Sequence, residues 1–89
     1  MDDIAYYVTI FMYYLFTAPT CPDCPKAKEY LAKSKKFDPL IVVDAMTDQG
    51  QELIRHYNVQ QAPTLLETGE GGKPMRMLTG LEMILNTSL

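Results

Sequence analysis

Apolar positions along the chain fall into blocks separated by turn-forming residues. Residues 4–16 are almost wholly apolar, interrupted by Thr9, and rich in β-branched and aromatic types. A near-continuous run of that composition suits a central strand covered on both faces. Its length is generous for one strand, and its first few residues form an extension with no assigned place. Thr17-Ala18-Pro19-Thr20 ends the strand. A helix is expected from about Cys21 to Lys36. Cys24, Ala27, Leu31 and Ser34 then share a face with Tyr30 beside them, while Lys26, Lys28, Lys33 and Lys35 fall mostly elsewhere. Pro22 takes the first helical position, where its missing N–H has no partner to lose. Pro25 is less comfortable but still lies in the opening turn.

The rest of the chain continues the alternation. Leu40-Ile41-Val42-Val43 after Pro39 reads as a second buried strand. Thr47 or Asp48 caps a second helix whose apolar side is Leu53, Ile54 and Tyr57, and Asn58 ends it, because Asn tolerates the left-handed conformation. Thr64 to Glu67 is a third strand, Gly69 to Gly72 a loop, and Pro74 to Thr79 a fourth strand closing a hairpin. A short helix follows Gly80, using Leu81, Ile84 and Leu85. The order β-α-β-α-β-β-α predicts an α/β domain. Its first three elements form a right-handed parallel crossover. The hairpin adds antiparallel, giving a four-stranded mixed sheet with helices on both faces.

Composition narrows the function classes. The 89 residues make one domain, 1–89, with 47% apolar and 21% charged residues, an ordinary globular balance. A net charge of −3 gives no reason to expect nucleic acid, whose phosphates need a basic surface. The apolar run 4–16 is shorter than the ~20 residues a membrane span needs. Asp2 and Asp3 carry the wrong charge for a secretory leader, so no membrane partner is expected. Two cysteines and no leader point to a reducing cytoplasm, where closely spaced cysteines are catalytic or metal-binding more often than structural.

Those cysteines form Cys21-Pro22-Asp23-Cys24 at a strand-to-helix junction. A helix N-terminus presents unpaired N–H groups and the positive end of the dipole, and both stabilise a thiolate. Such settings lower a cysteine pKa from ≈ 8.5 to roughly 3.5–7.5. Cys21 points out of the helix end and is expected to attack. Cys24, on the face with Ala27 and Leu31, is expected to be buried and to resolve the mixed disulfide. Other readings stay open. A structural zinc needs four ligands, and His56 is the one histidine available beside the cysteines. A metal or iron–sulfur cluster held by Cys21 from each of two chains is a further alternative. So are a purely structural disulfide and a non-catalytic interaction domain. Asp23 adds negative charge beside the thiolate or simply suits a helix first turn. The lysines Lys26, Lys28, Lys33, Lys35 and Lys36 form a solvated face or a dock for an acidic partner. Tyr6, Tyr7, Tyr13 and Tyr14 are expected to pack rather than to stack on a ligand.

A second signal is Tyr57-Asn58-Val59-Gln60-Gln61-Ala62-Pro63-Thr64, where the chain enters a strand through proline. Pro63 is either an ordinary trans proline at a strand start or a cis one. Together with Phe16 to Cys24, this segment resembles the thioredoxin and glutaredoxin superfamily, and in particular short glutaredoxin-like redoxins. The resemblance implies the thioredoxin fold and a cis Pro63. It implies that Ala62 pairs by its backbone with an incoming peptide, with Gln61, Thr79 and Gly80 around the same groove. Thr20 and Pro22, flanking Cys21, are expected to contact substrate too. The activity implied is reduction of protein disulfides by a monomer whose only redox group is the Cys21–Cys24 pair, with no bound cofactor. A reductase or glutathione supplies the electrons. Ala18 stands where glutathione-binding members carry Lys or Arg, Thr79-Gly80-Leu81-Glu82 has one Gly where they have two, and Leu15 stands where thioredoxins carry a buried Asp.

Overall fold

The computed structural model describes residues 12–34, 36, 37 and 39–87. Its elements run β1 (Met12–Thr17), α1 (Cys24–Lys33), β2 (Leu40–Asp44), α2 (Asp48–Tyr57), β3 (Thr64–Thr68), a 3-10 turn (Glu70–Gly72), β4 (Pro74–Thr79) and α3 (Leu81–Leu85). The strands form one sheet in the order β2-β1-β3-β4. β1 runs parallel to β2, with Leu15 opposite Val42. It runs antiparallel to β3, with Leu15 opposite Leu65, and β3 pairs antiparallel with β4.

Side chains on a strand alternate between faces, and the core divides accordingly. Leu15 and Leu65 face one side, where they meet Ala27 and Leu31 of α1 and Ile84 of α3. Phe16 and Leu66 face the other, where Leu53, Ile54 and Tyr57 of α2 cover them. Leu15, Phe16, Leu65 and Leu66 are all almost fully buried. Each contributes about 1.5–3 kcal/mol relative to exposure. Tyr13 packs edge-on against Phe37, and Tyr14 lies in the second cluster, so both are packing residues. Tyr6, Tyr7 and the rest of the run before Met12 lie outside the described residues.

α2 has both of its expected ends. The Thr47 hydroxyl accepts from the Gly50 amide at 2.9 Å. Asn58 takes the left-handed conformation at φ 56°, and the Val59 amide reaches back to the Ile54 carbonyl at 3.0 Å.

Two expectations need correction. The first helix spans Cys24–Lys33, not Cys21 to Lys36. A helix opening at Cys21 would need residue 25 to donate to the Cys21 carbonyl, and Pro25 has no N–H to give. The ladder therefore opens with Ala27 donating to Asp23 at 3.1 Å. Pro25 thus falls at the second helical position, inside the opening turn where its missing N–H loses no partner, and Pro22 lies in the turn before the helix. The helix stops where Ser34 turns extended, at φ −98° and ψ 123°. The second correction concerns β2. It is an edge strand among the described residues, half-buried rather than buried, and Val42 keeps 42% of its surface exposed. A short apolar run reads alike at the centre of a sheet and at its rim. Only the strand order separates the two.

Candidate active site

β1 delivers the chain to a tight turn in which the Cys21 amide donates to the Ala18 carbonyl at 3.1 Å. Cys21 is half-buried, ahead of the first turn of α1. Cys24 sits inside that turn and is 4% exposed, on the buried stripe with Ala27 and Leu31. The two are joined as a disulfide with Cα atoms 5.4 Å apart, within the span such bonds need. The structure is therefore that of the oxidised protein. Asp23, at the helix cap position, makes no side-chain cap bond, and the first turn contains no acidic residue. The positive end of the α1 dipole thus faces the dithiol without a carboxylate capping it.

A second group of residues meets at the same end of the sheet. Phe16 near the end of β1 stands opposite Thr64 at the start of β3, and Thr64 stands opposite Thr79 at the end of β4. The loops beyond these strand ends are cross-linked. Gly80 donates its amide to the Pro63 carbonyl at 2.8 Å. Thr64 donates its hydroxyl to the Gln61 carbonyl at 2.6 Å. The Ala62–Pro63 peptide is cis, and Gly80 holds φ +93°, a conformation natural to glycine. Pro63 is buried, Ala62 and Thr79 half-buried, and Gln61 exposed. Neither backbone polar group of Ala62 has a backbone partner among the described residues.

The sequence-expected residues thus form two groups flanking the end of β1. One is the dithiol turn. The other is Gln61, Ala62, Pro63, Thr79 and Gly80. Thr20 and Pro22 are exposed beside Cys21. The depression that holds both cysteines is walled instead by Ala18, Pro19 and Pro25, together with Lys28 and Val42. Lys28 was legible as the residue one helical turn beyond Cys24. Val42 carried no local signal, because only the sheet order brings β2 beside the dithiol.

The family described as Glutaredoxin matches residues 8–70, from the run before β1 to the start of the 3-10 turn after β3, dithiol and Pro63 included. The chain belongs to the glutaredoxin family. A probable thioredoxin of Archaeoglobus fulgidus is 33% identical over 54 residues, covering 58% of this chain and 59% of that protein. The chain thus aligns with about three-fifths of that relative's length. Among solved structures, a Fasciola hepatica thioredoxin superposes with TM-score 0.67 at 25% identity, covering 90% of this chain and 77% of that one. A Trypanosoma brucei brucei thioredoxin gives 0.66 at 22% identity, covering 96% and 77%. A Thermus thermophilus thioredoxin gives 0.63 at 21%, covering 90% and 71%. The fold is the thioredoxin fold. The bonded Cys21–Cys24 pair lies within the segment that matches this family. Leu15 is fully buried in the core on the α1 side of the sheet and brings no carboxylate there. His56 is exposed on α2, edge-on to Tyr57. Among the described residues, no group of three or more His, Cys, Asp or Glu is placed to hold a metal ion. No helix there is long and apolar enough to cross a membrane.

Proposed function

We propose that this chain reduces disulfides in other proteins, with Cys21 as nucleophile and Cys24 as resolving thiol. The observation that carries the reading is the unequal exposure of the pair: Cys24 is 4% exposed, and Cys21 is half-buried at the helix mouth. In the reduced protein the Cys21 thiolate attacks one sulfur of a substrate disulfide. The substrate S–S bond breaks, and its other sulfur leaves as a thiolate that takes up a proton. Cys24 then loses its proton and attacks the Cys21 sulfur. The second substrate sulfur departs, and the Cys21–Cys24 bond closes. Two electrons pass from the dithiol to the substrate.

Thr20, Pro22, Gln61, Ala62, Pro63, Thr79 and Gly80 are the proposed substrate contacts. The unpartnered backbone groups of Ala62 suit strand-like pairing with the peptide around the attacked disulfide. Electrons return from a reductase or from glutathione in the reducing cytoplasm. Ala18, an uncharged residue in the wall of the dithiol depression, favours the reductase.

The test is reduction of a model protein disulfide by single variants. Cys21→Ser is expected to fall to the uncatalysed background. Cys24→Ser is expected to stall as a mixed disulfide visible by mass. Full activity in Cys21→Ser rules the assignment out. Supplying glutathione with its reductase, or thioredoxin reductase with NADPH, then shows which donor recycles the oxidised form.

A further inference from the structure

The depression at the dithiol does not end there. Lys28 and Val42, which help to wall it, also line a second depression that continues to Phe37 and Leu40. The two make one groove, running from Cys21 and Cys24 along the seam between α1 and the edge strand β2. The seam is open because β2 is the edge strand among the described residues. Val42 stands in register with Leu15 on the α1 face, yet beyond the cover of the helix, and stays 42% exposed. This groove is separate from the group around Pro63. β1 has β2 on one side and β3 on the other, so the two surfaces flank the dithiol turn from opposite directions.

Among the described residues, Lys28 is the one charged residue lining either depression, and both depressions share it. The ion pairs among the described residues are Glu29 with Lys33 and Glu67 with Arg76, so Lys28 has no carboxylate partner there. A cation with no carboxylate partner among the described residues, on a chain of net charge −3, is suited to an anionic group brought by a ligand.

We propose that this groove receives the stretch of a substrate protein flanking its disulfide, and that Lys28 selects substrates bearing an acidic residue near the attacked cysteine. The proposal rests on the reading that the dithiol reduces protein disulfides. Lys28 lies about 6 Å of helix rise beyond Cys24. An extended peptide advances about 3.3 Å per residue. The favoured Asp or Glu therefore falls roughly two to four residues from the attacked cysteine once the reach of the lysine side chain is included. An exposed ion pair of this kind is worth about a 1.4- to 5-fold preference in rate.

The experiment measures second-order rate constants for oxidation of the reduced protein by three disulfide peptides of one sequence. They carry Glu, Gln or Lys at the third position from the cysteine. Rates are compared as ratios within each protein, which cancels any change in thiol reactivity. The wild type is expected to prefer the Glu peptide over the Gln peptide by about two- to five-fold at low salt. Lys28→Gln is expected to bring that ratio to about one, and Lys28→Glu to invert it toward the Lys peptide. Lys26→Gln makes the same change in net charge on a residue that does not line the groove, and is expected to keep the wild-type preference. Three outcomes overturn the inference while leaving disulfide reduction standing: equal wild-type rates on all three peptides, a Lys28→Gln variant that keeps the preference, or a Lys26→Gln variant that loses it as fully. A protein that reduces none of the peptides overturns the parent reading, and this one with it.

Discussion

Gly80 donates its amide to the Pro63 carbonyl at 2.8 Å, tying the residue that enters β3 to the residue that leaves β4. The bond continues the β3–β4 ladder one step beyond Thr64 and Thr79, and it holds together the second group of candidate substrate contacts. It depends on a backbone conformation, φ +93° with ψ 154°, that an L side chain rarely adopts. An added Cβ would meet the Gln61 side-chain Nε2 at 3.4 Å, an ordinary contact, so the cost lies in the backbone. Gly80→Ala is therefore expected to cost about 1–3 kcal/mol. Thermal unfolding checks it, at roughly 4–8 °C per kcal/mol for a domain of this size. An unchanged midpoint would show that the loop relaxes freely.

Gly50 poses a contest between two effects. It lies in the first turn of α2, where alanine ordinarily gains about 1 kcal/mol over glycine. Here an added Cβ would collide with the Asp44 carbonyl at the end of β2. That atom is backbone and cannot swing aside as a side chain would. Overpacking of this kind costs about 1–3 kcal/mol. Gly50→Ala is expected to lower the denaturant midpoint, because the clash exceeds the gain in propensity.

The cap of α2 predicts a graded series. Thr47→Ala removes the acceptor of the Gly50 amide and is expected to cost about 1 kcal/mol. Thr47→Ser keeps the oxygen and should recover most of that stability. Equal losses in the two variants would mean that the methyl group, not the hydroxyl, is what matters there.

Leu15 tests the core on the α1 side of the sheet. It is fully buried between α1 and the sheet. Leu15→Ala is expected to lose about 2–5 kcal/mol, read as a fall in the urea midpoint at constant slope.

Tyr57 gives a pH dependence with a definite sign. Burial first, and the neighbouring Tyr14 second, push its hydroxyl above the ordinary value of 10.0. The same hydroxyl donates to the Gly72 carbonyl at 2.8 Å, which it can do only while protonated. A folded-state pKa above the unfolded value contributes stability that is fully present below pH 10.0 and is lost as pH rises through the folded value. Tyr57→Phe is expected to flatten part of the alkaline decline in a series of melts from pH 8 to 11. An identical decline in both proteins would assign it to other groups, Tyr13 beside Glu67 among them.

The local rules that worked are those with a one-residue cause. Asn58 ends α2 because few other residues accept its left-handed backbone, and Thr47 caps that helix because its hydroxyl reaches the Gly50 amide. The alternation Tyr13-Tyr14-Leu15-Phe16 sent successive side chains to opposite faces, as the pleat requires. The reading of α1 failed at its start, because two prolines compete for the opening turn and hydrogen bonding admits one. Pro25, with no N–H, forbids the earlier opening.

Residue order by itself determined the sequence of elements, the buried stripe of α1 and the address of the dithiol. Each is set by contacts within a few residues along the chain. Tertiary structure alone decided that β2 is the edge strand among the described residues and that Val42 stays partly exposed beside α1. It also decided that Lys28 meets Val42 in a groove leading to Cys21 and Cys24. Those facts depend on which strand lies next to which, and strand order is settled by the packing of the whole core.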